Sequence, residues 1–445
     1  MERLKKLRGD IYRCIHCKAC QFAYSGEPSR KGPGPHKSTT DGKIVLYEGM
    51  LKSCPAGLEF GWEAYNNSGK VWIARAVLEG EIALDENVRD IAMACITCGM
   101  CGAQCENQIR TVDIIEALRA AVLEAGVPPL DKHALVEKLT KKDNNPYGGK
   151  KEDRMAWVKE SGLDESIINK KGAKIAYFVG CTASYRQKNI AGATVKLLKK
   201  LGYDISVINE EVCCGSPFFR VGLTDTAKEL MNKNLELFGK FDEIIFSCAG
   251  CYRTFTIDYP KWTGKPNTFK THHAMELISK MVSDGKIVFK ENPELKGKVV
   301  TYHDPCHTGR HFGEWIKEKI IEESKNLFLD MRKVDIEQEK WFEIPRTIIK
   351  ALPGIKFNEM YRIKMNSFCC GAGGGVRSQF PDFSLKTSSR RLDEAKAVGA
   401  DIILTECPFC WRNLTDANEM YKHGLKVYGL LELIDTFDLI KEVKK

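Results

Sequence analysis

The sequence predicts an α/β protein: an all-helical N-terminal unit followed by two pseudo-symmetric repeats, each a small α/β unit on a parallel sheet. Three observations carry this. KIAYFVGC (174–181), EVCCGSPFF (211–219) and DEIIFSCAGCYRTF (242–255) return in the same order as KVVTYHDPC (298–306), SFCCGAGGG (367–375) and ADIILTECPFCWRNL (400–414). Repeats of this kind mean one supersecondary unit used twice. Short apolar runs such as IAYFV, EIIFS and DIILT alternate with helical stretches, the pattern of buried parallel strands with crossover helices. The first 125 or so residues show helical periodicity and no strand pattern.

In chain order, Ala64 to Met93 predicts mostly helix, because Val71, Ile73, Ala74, Val77 and Leu78 recur on one face. Asp113 with Glu116 reads as a capping box ahead of Ile114, Ile115, Leu118 and Val122, and Gly126 and Pro128 end that helix. Residues 1–128 form this helical unit. Residues 129–172 form a connector with short helices and little core, since KKDNNPYGGKKEDR carries turn chemistry. The first repeat spans 173–295, with a helix from Asn189 to Leu201. The second spans 296–445, with a helix from Leu385 to Val398; HAMELI (273–278) echoes GLLELI (429–434). Between its first cysteine and its Cys-Cys pair the first repeat has 31 residues and the second 62. The excess is a charged helical insertion at about 312–341 on a surface loop, read as a surface helix, a partner contact or a lid.

Composition narrows the function classes. The chain has 445 residues, is 43% hydrophobic and carries a diffuse charge of +9. Basic clusters such as Lys196, Lys199 and Lys200 lack the interleaved aromatics of a nucleic-acid groove. The longest run without charge, Ile91 to Cys105, has 15 residues, too short to span a bilayer. The N-terminal MERLKKLRGD is charged and lacks the apolar stretch of a signal peptide. The expectation is a cytoplasmic protein, free or peripheral on the cytoplasmic face of a membrane, with no transmembrane segment and no nucleic-acid partner.

All 18 cysteines fall in metal-binding spacings. Cys14, Cys17 and Cys20, with remote Cys54, form one CxxCxxC run; Cys95, Cys98, Cys101 and Cys105 form another. Such a run wraps three thiolates around one concave loop, while in two-cluster ferredoxins the fourth cysteine ligates the other cluster. Cys14, Cys17, Cys20 and Cys105 are therefore assigned to one cubane 4Fe-4S cluster, and Cys95, Cys98, Cys101 and Cys54 to the second. Zinc is the competing reading, but zinc sites use paired CxxC units. Glu106 stands after the last cysteine, where ferredoxins usually carry proline.

The remaining ten cysteines form two five-cysteine sets: Cys181, Cys213, Cys214, Cys248 and Cys251, then Cys306, Cys369, Cys370, Cys407 and Cys410. Five thiolates exceed what zinc or one cubane uses, and adjacent cysteines suit separated irons rather than one tetrahedral ion. Gly215 and Gly371 let backbone approach the sulfurs. The run Gly371, Gly373, Gly374 and Gly375 leaves room for a cluster or an anion.

CxxCxxC runs followed by two Cys-Cys-Gly (CCG) repeats, with HDPCHTGRH and FCCGAGGG, resemble the D-type catalytic subunit of heterodisulfide reductase and its relatives over nearly the whole chain. Those relatives include iron–sulfur subunits of glycolate, lactate and glycerol-3-phosphate dehydrogenases and of sulfate-reducer membrane complexes. The resemblance implies a helical two-cluster ferredoxin-like domain and noncubane 4Fe-4S clusters in one or both CCG repeats, with zinc as the other occupant of one repeat. It implies an oxidoreductase that cleaves the coenzyme M–coenzyme B disulfide between two such clusters. The catalytic candidates are Cys306, Cys369, Cys370, Cys407, Cys410 and His307. The implied partners are a membrane cytochrome b-type subunit or a flavoprotein. The alternative is an electron-transfer subunit of a flavin-dependent dehydrogenase acting on a 2-hydroxy acid, glycerol 3-phosphate or acyl-CoA and linked to a quinone pool. No Rossmann fingerprint appears, so flavin and nicotinamide belong to a partner.

His303, His307 and His311 flank Cys306 at four-residue intervals. One could give a proton to a thiolate product, or they hydrogen-bond cluster sulfide and cap turns. Arg220, Arg253 and Arg310 could hold a substrate anion, raise a cluster potential, or form salt bridges. Tyr252, Phe255, Phe409 and Trp411 read as shields against water.

Overall fold

The computed structural model describes residues 1–24, 50–324 and 331–444. Within the expected insertion, 325–330 lie outside the described residues, as do 25–49 between Cys20 and Cys54.

In the N-terminal unit, helices Asn67–Glu79, Glu86–Met93 and Thr111–Glu124 pack with Glu2–Lys6 and Arg8–Tyr12 around Leu4, Val71, Ala74, Ile114, Leu118 and Val122. The first ends on Gly80 in the left-handed conformation; the second is capped by Asp85, which accepts from Val88 N at 2.9 Å. The unit is not all-helical. Phe22–Tyr24 pairs antiparallel with Met50–Lys52, bringing Cys20 and Cys54 together. Three-residue strands are too short to show a period of two, so no alternation betrayed them. The capping box is also corrected. The last helix begins at Thr111, which puts Asp113 and Glu116 inside it without a side-chain cap. They are spent instead on tertiary ion pairs, Asp113 with Lys261 at 2.7 Å and Glu116 with Arg220 at 3.0 Å.

The connector holds helix Asp131–Asp143, a 3₁₀ turn at Lys151–Met155 and helix Ala156–Glu160. It is not core-poor: Met155, Trp157 and Val158 are buried in the main core. Its turn residues hid this, because burial here depends on what the segment lies against.

Two four-stranded sheets follow, and every pairing within them is parallel. The first runs Ile205–Val207, Ile175–Phe178, Glu243–Phe246, Lys270–His273. The second runs Lys356–Phe357, Val299–Tyr302, Ile402–Thr405, Lys426–Gly429. In both, the spatial order is second, first, third, fourth strand. The two units are not separate domains. Ile287–Phe289 pairs antiparallel with Ile440–Val443. Tyr177, Val207 and Ile245 share one core with Val300, Tyr302 and Leu404, each buried side chain adding about 1.5–3 kcal/mol of transfer free energy. Helix Lys188–Lys200 packs on Leu430–Thr436, and Ala274–Ser283 on Met331–Lys350.

The insertion forms helix Arg310–Ser324 and the start of Met331–Lys350. Its inner face is not surface decoration. Phe312 is fully buried, stacks on Tyr252 of the first repeat at 4.7 Å and 8°, and meets Trp341 at 4.7 Å.

Candidate metal centres

Both CxxCxxC runs bend in the same way. His16 and Lys18 in the first, and Thr97 and Gly99 in the second, have positive φ at matching positions. Left-handed residues on either side of the middle cysteine curl the backbone so that amides and thiols face one concavity. Thr97 N–H donates to Cys95 Sγ at 3.4 Å. Cys20, Cys54, Cys95, Cys98 and Cys101 line one cavity. Burial pushes the Cys54 thiol up to about 11, with Cys95 and Cys98 near enough to add to the shift. Cys20 is raised by burial and senses Cys105. Cys14 and Cys105 border the same helical core. Lys70 is 1% exposed among these thiols, and its Nζ donates to Tyr65 O. A buried ammonium with no carboxylate partner among the described residues fits a group of net negative charge.

The ten remaining cysteines sit beyond the C-terminal ends of parallel strands, where open α/β sheets place ligands. Cys181, Cys213–Cys214 and Cys248–Cys251 follow Ile175–Phe178, Ile205–Val207 and Glu243–Phe246. Cys306, Cys369–Cys370 and Cys407–Cys410 follow Val299–Tyr302, Lys356–Phe357 and Ile402–Thr405. The structure therefore gathers all five thiols of each set. Gly215 and Gly371 have φ of 82° and 88°, and their N–H groups donate to Cys213 Sγ at 3.5 Å and Cys369 Sγ at 3.3 Å.

The thiols form a connected series. Cys181 meets Cys213; Cys214 meets Cys213 and Cys251; Cys251 meets Cys248. In the second set Cys369 meets Cys370, Cys410 lies 3.1 Å from Cys370, and Cys410 meets Cys407. Two contacts join the groups: Cys248 hydrogen-bonds with Cys407, and Cys98 with Cys369. Because neighbouring thiols cannot all ionise, these bonds pull Cys98, Cys214, Cys248 and Cys370 down and push Cys181, Cys251, Cys369, Cys407 and Cys410 up. All 18 cysteines are free of disulfides. Such dense, mostly buried thiols fit thiolate-ligated iron.

Three histidines surround the second set. Arg391 Nε donates to His303 Nδ1 at 3.1 Å, which fixes the ring proton on Nε2. Nε2 is buried without an oxygen or nitrogen partner, and a ring nitrogen lies within 4.8 Å of Cys370 Sγ and Cys410 Sγ. The ring hydrogen-bonds Cys370. His307 groups with Cys306 and His311 and senses both Cys248 and Cys370, so it lies between the two sets; burial pushes it down to about 4. His311 Nε2 pairs with Thr97 O at 2.9 Å.

The three arginines are committed internally. Arg220 pairs with Glu116 and Asp258, and Arg253 with Asp258. Arg310 donates to the carbonyls of Cys98 and Ser367. Arg220 and Arg253 thus form the expected salt bridges, whereas Arg310 clamps backbone carbonyls. The glycine run is corrected too. A Cβ on Gly374 would lie 2.4 Å from Cys95 O, and one on Gly373 2.8 Å from Ile96 O. The space these glycines leave admits the second CxxCxxC loop, not an anion.

Sequence reasoning missed Lys70, Arg119, Arg154 and Arg391. Arg119 is fully buried and donates to Ala92 O, Met93 O, Cys95 O, Arg220 O and Gly374 O. None carries a local motif; only the fold shows what each one faces.

A family model described as a cysteine-rich domain matches residues 175–256 and 300–415, and one described as a 4Fe-4S dicluster domain matches 10–109. The chain is 36% identical over 434 residues to the D-type subunit of the dihydromethanophenazine:CoB–CoM heterodisulfide reductase of Methanosarcina barkeri, covering 96% of this chain and 93% of that one. The corresponding protein of Methanosarcina acetivorans is 35% identical, with 95% and 92% covered. An EtfAB:quinone oxidoreductase of Syntrophomonas wolfei is 27% identical over 96% of this chain and 58% of its own length.

Proposed function

The chain belongs to the family of the D-type heterodisulfide reductase subunits, and on that premise we propose that it relays single electrons from its two N-terminal cysteine groups to the five-cysteine sets, where a disulfide is reduced. It is an iron–sulfur subunit of oxidoreductase kind. Two cubane clusters on the paired CxxCxxC runs and a noncubane cluster on each five-cysteine set are our reading of the cofactors. Clusters bound there supply carriers that take up and release one electron at a time.

The observation that carries the proposal is the unbroken series of thiols. Cys98 touches Cys369 of the second repeat, and Cys248 of the first repeat touches Cys407 of the second. The cross-pairing of Cys20 with Cys105 and of Cys54 with Cys95 and Cys98 supports the assignment of the fourth cysteines. The order this supports is Cys14–Cys20 run, Cys95–Cys101 run, second repeat, first repeat. The second repeat, with Cys306, Cys369, Cys370, Cys407 and Cys410, is the proposed reaction site. His307, between the two sets and held neutral by burial, is the proposed relay that passes protons from solvent to the product thiolates: each disulfide reduced takes two electrons and two protons and yields two thiols.

A second reading is favoured by one finding, the match to the EtfAB:quinone oxidoreductase over 96% of this chain. In it the chain only carries electrons between a partner flavoprotein and a quinone pool. In either reading the electron partner is a membrane cytochrome or a flavoprotein. No helix among the described residues is long and apolar enough to cross a membrane, and a place on the cytoplasmic side is part of the proposal.

Anaerobic purification with iron, sulfide and zinc analysis tests the cofactors, with about 16 irons expected. Reduced viologen and the coenzyme M–coenzyme B disulfide test the reaction. Turnover lost in Cys370→Ser, with the N-terminal signals intact, is the expected result. Full iron content without turnover, with a co-purifying flavoprotein, favours the second reading.

A further inference from the structure

The two five-cysteine sets are closed by different parts of the chain. The second is covered by the Cys95–Cys98 loop and its clamp, Arg310. The first is covered by the connector. Asn144 O accepts from Cys213 N–H at 2.9 Å. The hydroxyls of Tyr147 and Thr182 meet at 2.9 Å, and Tyr185 OH donates to Lys150 O at 3.0 Å. Arg154, 2% exposed, completes the strap: Nη2 lies 3.6 Å from Cys181 Sγ, and Nη1 donates to Glu211 Oε1 at 2.9 Å. Glu211 is itself pinned by the N–H groups of Val179 and Gly180 at 2.8 Å, which lead directly into Cys181. Hence the geometry fixes a cation against one thiol of the first set.

We propose that Arg154 is a positioning residue that sets the reduction potential of the first-repeat centre; this rests on the reading that an iron–sulfur group occupies those cysteines. A guanidinium hydrogen bond to a ligand sulfur stabilises the more negative, reduced state, and hydrogen bonds to sulfur are a principal determinant of cluster potential. Burial leaves little water to screen the charge. Fastening the strap does not require a cation, since Asn144 and Tyr147 already hold it with neutral bonds, and burying a guanidinium is costly. Cys306, the matching cysteine of the second repeat, has no guanidinium hydrogen bond among the described residues; nearby Arg310 donates to the carbonyls of Cys98 and Ser367 and to the Cys98 thiol. Arg154 therefore distinguishes the two centres and biases where an electron rests.

The test uses the full chain, matured and purified without oxygen. In Arg154→Met, potentiometric titration followed by EPR is expected to show one midpoint falling by a tenfold change in the reduction equilibrium, about 59 mV for a one-electron couple. The other midpoints stay, and Arg154→Lys, which keeps the charge, recovers part of the shift. Unchanged midpoints in Arg154→Met at full iron content overturn the proposal. Should that variant fail to load, the unaltered protein grown with guanidino-¹⁵N arginine decides by pulsed EPR: a ¹⁵N coupling at one five-cysteine centre is expected, and its absence at both overturns the role. A first repeat that holds zinc or nothing overturns both this proposal and the cofactor reading. Iron there, with neither shift nor coupling, overturns Arg154 alone.

Discussion

Arg310 donates from Nε to the carbonyl of Cys98 at 2.9 Å, and from Nη1 to the carbonyl of Ser367. One buried side chain thus ties the second CxxCxxC run to the loop that carries Cys369 and Cys370, where the two cysteine groups touch. Arg310→Met leaves two buried carbonyls short of a donor, at about 1–3 kcal/mol each. The expected outcome is a lower melting temperature and slower electron passage into the second repeat, with iron content retained. Rapid-mixing reduction followed at separate cluster signals measures this; Arg310→Lys recovers less than half of the rate because it lacks the fork geometry.

Gly374 makes the same junction from the other side. Its φ is 61°, and a Cβ would meet Cys95 O at 2.4 Å. Gly374→Ala therefore adds left-handed strain of about 1–2 kcal/mol to a backbone clash with no flexible partner to yield. The N-terminal unit is expected to loosen from the second repeat, read as faster proteolysis near the connector and weaker magnetic coupling between neighbouring clusters. Gly126→Ala is the comparison: its glycine also has positive φ, but a Cβ there meets nothing within 4 Å. It should cost stability without touching the coupling.

His303 stands where the first repeat has Phe178, and its proton is held on Nε2 by Arg391. His303→Val removes the ring donor facing Cys370 and leaves Arg391 Nε unpaired. The expected result is a lower midpoint for the second-repeat centre and a stability loss of about 1–3 kcal/mol. His303→Gln, which offers both an acceptor and a donor, should restore much of each. Redox titration and thermal unfolding of the three proteins separate the two effects.

Glu276 caps helix Ala274–Ser283 by accepting from His273 N at 2.7 Å, and burial pushes its carboxyl up to about 7. The unfolded value is about 4.3. The folded state therefore holds the proton more tightly. The stabilisation from this group is fully present below about pH 4.3 and is lost as pH rises through about 7. Glu276→Gln keeps the cap and removes the titration. The variant should gain stability relative to the parent between about pH 5 and 8, measured as the difference in unfolding midpoint under anaerobic conditions.

Much of this protein was legible in its sequence because it is written in local spacing. The CxxCxxC runs, the repeated Cys-Cys-Gly and CxxC groups, and the short apolar strands preceding them are periodic or contiguous signals. They are enough to give two parallel-sheet units with cysteines at their strand ends. The strand pair Phe22–Tyr24 with Met50–Lys52 was not legible, since three residues show no period. The tertiary structure decided the rest. It merged the repeats around one core through Ile287–Phe289 and Ile440–Val443, set the glycine run against the Cys95 loop, and drew Arg220 and Arg253 into internal ion pairs. It also carried Arg154 from a polar connector to the sulfur of Cys181. These outcomes depend on which surfaces meet across long stretches of chain. Spacing fixes which atoms can bind a metal, whereas packing alone determines which charges and donors stand beside them.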